Sequence, residues 1–438
     1  MATLKEELLL KLKNKTAKLG VVGLGYVGLP LAVEKAKAGY NVIGFDVQEK
    51  KVQLVNEGHN YIGDILDEDL ANLVKEGKLK ATTDFSFVKD VDAVAIAVPT
   101  PLDKFKQPDV SYVVNSTKDV AKYIHRGMLV VLESTTYPGT TEEIVKPILE
   151  ESGLKCGEDF FLAFSPERVD PGNKQFKTKN TPKVVGGVTP DCTEVAAALY
   201  GSVLEGDIHK VSSPAVAEME KILENTFRHI NIGLVNEMAI LCKKMGIDIW
   251  EVIDAAKTKP YGYMAFYPGP GLGGHCIPLD PFYLTYKARE FDYHTRLIET
   301  AGEINDFMPE FVVENAMKLL NEEKKALNGS KVLLMGVAYK KDIDDMRESP
   351  ALKVIEHLEK NGAEVMYNDP YIPKFKHNGK EYVSVEWEKA IDEADIVIIT
   401  TDHSCYDYQA IVDRAKIFYD TRNASKEVKN NREKIHKL

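Results

Sequence analysis

What this chain has little of narrows it first. Its five cysteines, Cys156, Cys192, Cys242, Cys276 and Cys405, are odd in number, widely spaced and form no C-x-x-C pair. Neither a disulfide framework nor a zinc site is indicated, and no metal is expected; a reducing compartment, the cytoplasm, is the expected location. No stretch approaches the roughly 18 consecutive apolar residues that a membrane span requires. Residues 1–18 mix Lys, Glu and Leu around a short apolar block and read as an amphipathic helix, not a signal peptide. Positive charge is in deficit, with 56 Lys and Arg against 67 Asp and Glu and a formal net charge of -11. That balance argues against a nucleic-acid partner, which needs a basic face to neutralise phosphates. An anionic ligand must be held by local groups.

The 438 residues, 44% of them hydrophobic, supply two or three domain cores. The first strong unit is Leu19-Gly20-Val21-Val22, an apolar strand entering Gly23-Leu24-Gly25-Tyr26-Val27-Gly28, then a helical stretch over 29–38 and a strand over 41–45 that ends at Asp46. Gly23 makes a tight turn, Gly25 lets the backbone approach a pyrophosphate, Gly28 permits close helix packing, and the helix N-terminus attracts the phosphates. Asp46 suits the ribose hydroxyls of NAD and repels the additional phosphate of NADP. NAD is the expected cofactor, with Tyr26 and Val27 inside its turn. Further strands at 92–98 and 128–132 run into Pro99-Thr100-Pro101 and Glu133-Ser134-Thr135-Thr136. Ligands bind beyond the carboxyl ends of such strands, so Pro99, Thr100 and Thr136 face cofactor or substrate, or serve only as turn residues.

A weaker copy of the pattern follows, with strands over 331–336, 364–367, 394–400 and 415–420 and a helix over 350–361. Its first loop lacks the glycine triplet and carries Lys340, Lys341, Asp345 and Arg347, which wrap a pyrophosphate with charge in place of bare backbone. Between the halves a long helical region covers about 214–259, a spine whose free face is a candidate dimer surface. The expectation is an α/β protein with two Rossmann-like doubly wound domains joined by a long central helix, divided as 1–208, 209–328 and 329–438.

Three groups of residues carry potential chemistry. Cys276 sits in the glycine-dense Gly271-Leu272-Gly273-Gly274-His275-Cys276, either as the nucleophile of an oxidation through a thioester or as a small buried hydrophobe. Asp280, four residues on, shares its side if a helical turn forms. Lys221 and Asn225 share one helix face and either stabilise a developing oxyanion, a role worth about 3 kcal/mol per donor, or are a surface lysine and an Asn bonded to a carbonyl. Glu167, in the polar loop 165–173, is either a general base or the partner of Arg168 or another surface charge.

Read together, Gly23-Leu24-Gly25-Tyr26-Val27-Gly28-Leu29-Pro30, Val98-Pro99-Thr100-Pro101, Ser165-Pro166-Glu167-Arg168, Glu218-Met219-Glu220-Lys221 through Asn225, Gly273-Gly274-His275-Cys276 and Tyr339-Lys340-Lys341-Asp342 through Ser349-Pro350 resemble the UDP-glucose and UDP-N-acetylhexosamine 6-dehydrogenases over nearly the whole length. The resemblance implies a four-electron oxidation of a sugar C6 hydroxymethyl to a carboxylate with two NAD per sugar. Cys276 is then the nucleophile and Lys221 and Asn225 hold the developing charge. Asp280 orients water or tunes the lysine, while Glu167 and Thr136 assist thioester hydrolysis and proton transfer. Gly273, Tyr339, Lys340 and Arg422 meet the UDP-sugar, and Arg347 the NAD phosphates. Arg168, Arg228 and His275 point to the N-acetylhexosamine branch, with UDP-N-acetylglucosamine first and UDP-N-acetylmannosamine, UDP-N-acetylgalactosamine and UDP-glucose as alternatives. The arginine that many members place ahead of the glycine loop is not evident, and Lys257 or Lys259 stands as its substitute. A two-electron hydroxyacid dehydrogenase, a silent nucleotide-sugar sensor and a scaffold are the competing readings.

Overall fold

The computed structural model describes residues 2–63, 65–170, 173 and 175–438. The chain divides into two compact units, Met1–Glu224 with Phe282–Tyr293, and Asn225–Pro281 with His294–Leu438.

The first unit is built on eight strands: β1 (Lys18–Val22), β2 (Asn41–Phe45), β3 (Leu79–Thr82), β4 (Ala93–Ile96), β5 (Leu129–Leu132), β6 (Phe161–Phe164), β7 (Lys183–Gly187) and β8 (Ile208–Val211). They lie in the order β3-β2-β1-β4-β5-β6-β7-β8, parallel except for β6 against β7. Every residue of β4, β5 and β6 is buried, which a parallel sheet covered on both faces requires of its strands. The chain order reverses between β1 and β4, and at such a switch point the loops leaving the two strands part to leave a crevice. The glycine turn leaves β1 and the Pro99 loop leaves β4, so both rim that crevice.

The second unit repeats the plan with β9 (Lys331–Met335), β10 (Glu364–Asn368), β11 (Lys374–His377), β12 (Lys380–Val383), β13 (Ile396–Ile399), β14 (Phe418–Asp420) and β15 (Ile435–Lys437). Five form a parallel sheet in the order β10-β9-β13-β14-β15, and β11 pairs antiparallel with β12. The switch point here lies between β9 and β13, next to the loop that carries Tyr339 and Lys340.

The spine is two helices and not one. Pro214–Met245 runs for 32 residues and stops at Gly246, whose φ of 72° leaves the helical region. Ile249–Ala256 then starts afresh, with the Asp248 carboxylate capping the Trp250 N–H at 2.9 Å.

Candidate active site

In the first unit the glycine turn is sterically committed. Gly23 has a φ of 91°, and a Cβ on Gly28 would stand 1.7 Å from the Gly23 carbonyl oxygen, so neither position admits a side chain. The following helix, Gly28–Lys37, has no acidic residue in its first turn, leaving its positive end without a carboxylate of its own. Tyr26 is exposed and Val27 half-buried. The space beside Gly25 is clear of atoms to 4 Å. Asp46, buried at the end of β2, accepts from the N–H of Leu24 and of Gln48, both at 2.9 Å, and lies 3.5 Å from Lys51 Nζ. A bare, positively polarised turn with a carboxylate at the next strand end fits a dinucleotide pyrophosphate and ribose.

Past β4, Pro99 is exposed while the buried Thr100 donates to the Thr135 carbonyl at 2.6 Å and accepts at its own carbonyl from the Tyr283 hydroxyl. Thr136, also buried, shares a 2.8 Å hydrogen bond with Thr140. The turn around it is anchored by Glu218, which accepts from the Gly139 N–H at 2.6 Å, the Thr141 N–H at 2.9 Å and the Thr141 hydroxyl at 2.6 Å. Burial pushes Glu218 up to about 6 against those donors.

Glu167 does not pair with the Arg168 side chain. Its Oε1 accepts from the N–H groups of Arg168 and Val169, both at 2.9 Å, and its Oε2 lies 3.5 Å from Lys183 Nζ. Burial alone would raise its pKa; the charges of Lys183 and Lys221 and the two N–H groups outweigh that and hold it below the ordinary carboxylate value. The Arg168 guanidinium reaches Glu224 and lies 3.5 Å from Glu220. Lys221 is 7% exposed, so it is not a surface lysine. Of loop 165–173, Pro171 and Gly172 lie outside the described residues.

In the second unit Asn225 is equally buried and donates to Asp280 Oδ2 at 2.6 Å, so the carbonyl partner is replaced by a carboxylate. Asp280 also donates its N–H to the Cys276 carbonyl at 2.9 Å, the helical turn expected between them. Cys276 is exposed, which removes the buried-hydrophobe reading. The loop before it packs on Tyr339: a Cβ on Gly273 would meet Tyr339 Cβ at 2.6 Å, and one on Gly274 the ring at 2.9 Å. The Gly274 N–H donates to the Arg347 carbonyl at 3.1 Å. Burial, then the Arg347 charge, hold His275 below its ordinary value. Arg347 clasps Asp345 through Nε at 3.0 Å and Nη2 at 2.7 Å. Arg422 donates from Nε to the Thr400 carbonyl at 3.0 Å. Lys340 is half-buried and Arg228 exposed. Lys257 Nζ lies 2.5 Å from Asp254, and Lys259 lies over the Tyr261 ring.

Sequence reasoning missed the supports. Lys183 bonds Glu133 at 2.8 Å in full burial, and Glu133 also accepts from the Tyr200 hydroxyl. The signals were a lysine opening the apolar run Lys183–Gly187 and an acid closing Leu129–Leu132. In the second unit Asp369, just past β10, accepts from the N–H of Val337 at 2.7 Å and of Ala338 at 3.0 Å. It thus occupies the place of Asp46 in the first unit. His403 Nε2 donates to Asp369 at 3.0 Å while its Nδ1 accepts from the Asp342 N–H.

These features define a dinucleotide-binding α/β oxidoreductase. Residues 17–204, 215–307 and 333–427 match the NAD binding, central and UDP binding domains of the UDP-glucose/GDP-mannose dehydrogenase family. The chain belongs to that family and is an NAD-dependent UDP-sugar dehydrogenase. It is 38% identical over 365 residues to the UDP-N-acetyl-D-glucosamine 6-dehydrogenase of Pseudomonas aeruginosa, spanning 82% of this chain and 84% of that one. It is 38% identical over 403 residues to the UDP-N-acetyl-D-mannosamine dehydrogenase of Campylobacter jejuni, 89% and 96% of the two chains. The solved structure of a UDP-D-ManNAc dehydrogenase from Pyrococcus horikoshii matches with a TM-score of 0.86 at 35% identity, over 94% of this chain and 96% of that one. Among the described residues no helix is long and apolar enough to cross a membrane.

Proposed function

We propose that the chain oxidises the C6 hydroxymethyl of a UDP-N-acetylhexosamine, UDP-N-acetylglucosamine first, to the uronate through a thioester on Cys276. The observation that carries this reading is an exposed thiol on a glycine loop whose following turn delivers a buried Asp280–Asn225 pair. Each of two successive NAD molecules, when bound, would supply acceptance of one hydride, so two NADH would leave per sugar. Between the two oxidations the Cys276 thiolate adds to the C6 aldehyde, and the resulting thiohemiacetal keeps the sugar attached. Lys221 and Asn225 stabilise the oxygen on which charge develops. Asp280 fixes the Asn225 amide and orients water, and Glu167, ionised, takes the proton of the water that hydrolyses the thioester, with Thr136 assisting.

Tyr339, Lys340, Gly273 and Arg422 hold the UDP-sugar, Arg347 the NAD phosphates, and Arg168, Arg228 and His275 favour an acetamido group. The functional division we assign is 1–208 for NAD, 209–328 for the catalytic loop and 329–438 for the nucleotide sugar. UDP-N-acetylmannosamine is the second reading, favoured by the equal identity of the Campylobacter jejuni relative. Initial rates on UDP-N-acetylglucosamine, UDP-N-acetylmannosamine, UDP-N-acetylgalactosamine and UDP-glucose, with NADH counted per sugar, test the proposal. A higher kcat/KM on UDP-N-acetylglucosamine and two NADH are expected. Equal use of UDP-glucose overturns the branch, and one NADH per sugar overturns the thioester.

A homodimer through the central helix, working in the cytoplasm, is part of the same reading. Phe227, Leu234 and Leu241 recur at seven-residue spacing on that helix and are 46–51% exposed, an apolar stripe of the kind that seeks a partner.

A further inference from the structure

A buried ion-pair chain lies behind Glu167 that the reaction itself does not use. Glu133, at the end of β5, is 1% exposed, and Lys183, at the start of β7, is 5% exposed. Lys183 Nζ is 2.8 Å from Glu133 Oε2 and 3.5 Å from Glu167 Oε2, and it stands 4.9 Å over the Tyr200 ring. Tyr200 donates its hydroxyl to the other oxygen of Glu133. The lysine therefore has one carboxylate that fixes it and a second that it faces. Arg168, the cation next in sequence, sends its guanidinium to Glu224 and the Pro182 carbonyl.

We propose that Lys183 is the positioning residue for Glu167: anchored by Glu133 and Tyr200, its buried ammonium holds the Glu167 carboxylate in one orientation and as the anion that activates water. The inference rests on the hydrolytic role given above to Glu167. Desolvation disfavours a buried carboxylate's charged form, and an opposite charge within about 4–6 Å restores it. The charges that face Glu167 are Lys183 from β7, Lys221 from the Pro214–Met245 helix and the Arg168 guanidinium of its own loop, beside the Arg168 and Val169 N–H groups that donate to it. Tyr200 also senses it, and Lys35 adds a further cation near Lys183 and Glu133. Of these, Lys183 is the cation in salt-bridge reach of Glu167 and is itself pinned on its far side.

The test is the pH dependence of thioester hydrolysis in a single turnover, followed by quenching and intact-mass detection of the Cys276 adduct. Lys183→Met alone strands a buried Glu133, so the paired Lys183→Met/Glu133→Gln variant is used with Lys183→Arg, and thermal unfolding confirms that each is folded. In the paired variant the acid limb should move up by about one pH unit or more. On the acid limb itself, below the wild-type midpoint, hydrolysis then falls on the order of tenfold, while the rate at pH 9 falls far less. Lys183→Arg should return the limb towards its wild-type position. A rate reduced by the same factor at every pH, with the limb unmoved, overturns the proposal. Glu167→Gln separates the two claims. If it hydrolyses the thioester at the wild-type rate, the role of Glu167 falls and the inference with it. If it stalls with the adduct accumulated while the Lys183 limb stays fixed, only the inference falls.

Discussion

Cys276 is the residue on which the proposed chemistry turns, and Cys276→Ser should bind the nucleotide sugar normally while losing turnover on the order of 10³-fold or more. Isothermal titration beside NADH production checks it, and near-wild-type turnover overturns the covalent scheme. Lys35 makes a different claim, about stability. It is 1% exposed on the helix that follows the glycine turn, and burial pulls it from 10.5 down to about 8 against the opposing charge of Glu133. Between those values the unfolded chain holds the proton and the folded one does not, so stability rises with pH across that window. Below it both states are protonated and the full cost of the buried charge is present. Lys35→Met should therefore stabilise at pH 7 by ~2–3 kcal/mol, a gain that shrinks towards pH 10. Melting temperatures at the two pH values decide it, and a variant less stable than wild type at pH 7 refutes it.

At the scale of elements, the cofactor turn was legible because its determinants are local: strand, glycines, helix and acid follow one another within residues 18–46. What sequence reasoning assigned to Asp46 was cofactor choice, through the ribose hydroxyls of NAD and repulsion of the additional phosphate of NADP. The carboxylate also ties down the Leu24 and Gln48 amides, so Asp46→Ala should both relax the preference for NAD over NADP and destabilise the first unit by roughly 1–3 kcal/mol, since buried donors are left unpaired. Cofactor kinetics and unfolding of the one variant measure both effects, and unchanged selectivity removes Asp46 from the ribose. The β11–β12 hairpin went unread although Asn378-Gly379, with φ of 48° and 78°, is the strongest short hairpin signal. Gly246 likewise marked the end of the long helix. The Lys183 network was hidden for another reason: Glu133, Glu167 and Lys183 come from three strand ends, 50 residues separate Glu133 from Lys183, and no pattern of spacing announces a contact across a sheet.

At the scale of the whole molecule, an acidic chain has two pyrophosphate-bearing ligands to bind, and the proposed reading gives that work to local devices: a polarised helix end in one unit and a lysine- and arginine-bearing loop in the other. Assembly is the matching prediction. Leu234→Glu with Leu241→Glu should convert the proposed dimer to monomers in sedimentation experiments, and an unchanged sedimentation coefficient removes the helix from the interface. Glu218 carries one more consequence. The amide hydrogens of Gly139 and Thr141 end on a carboxylate rooted in the longest helix of the chain. In deuterium-exchange measurements they should be among the slow sites of an otherwise turn-like segment, released only when the turn lifts from the helix. Their exchange rate is thus a local gauge of how often the segment bearing Thr136 opens while the rest of the fold stays closed.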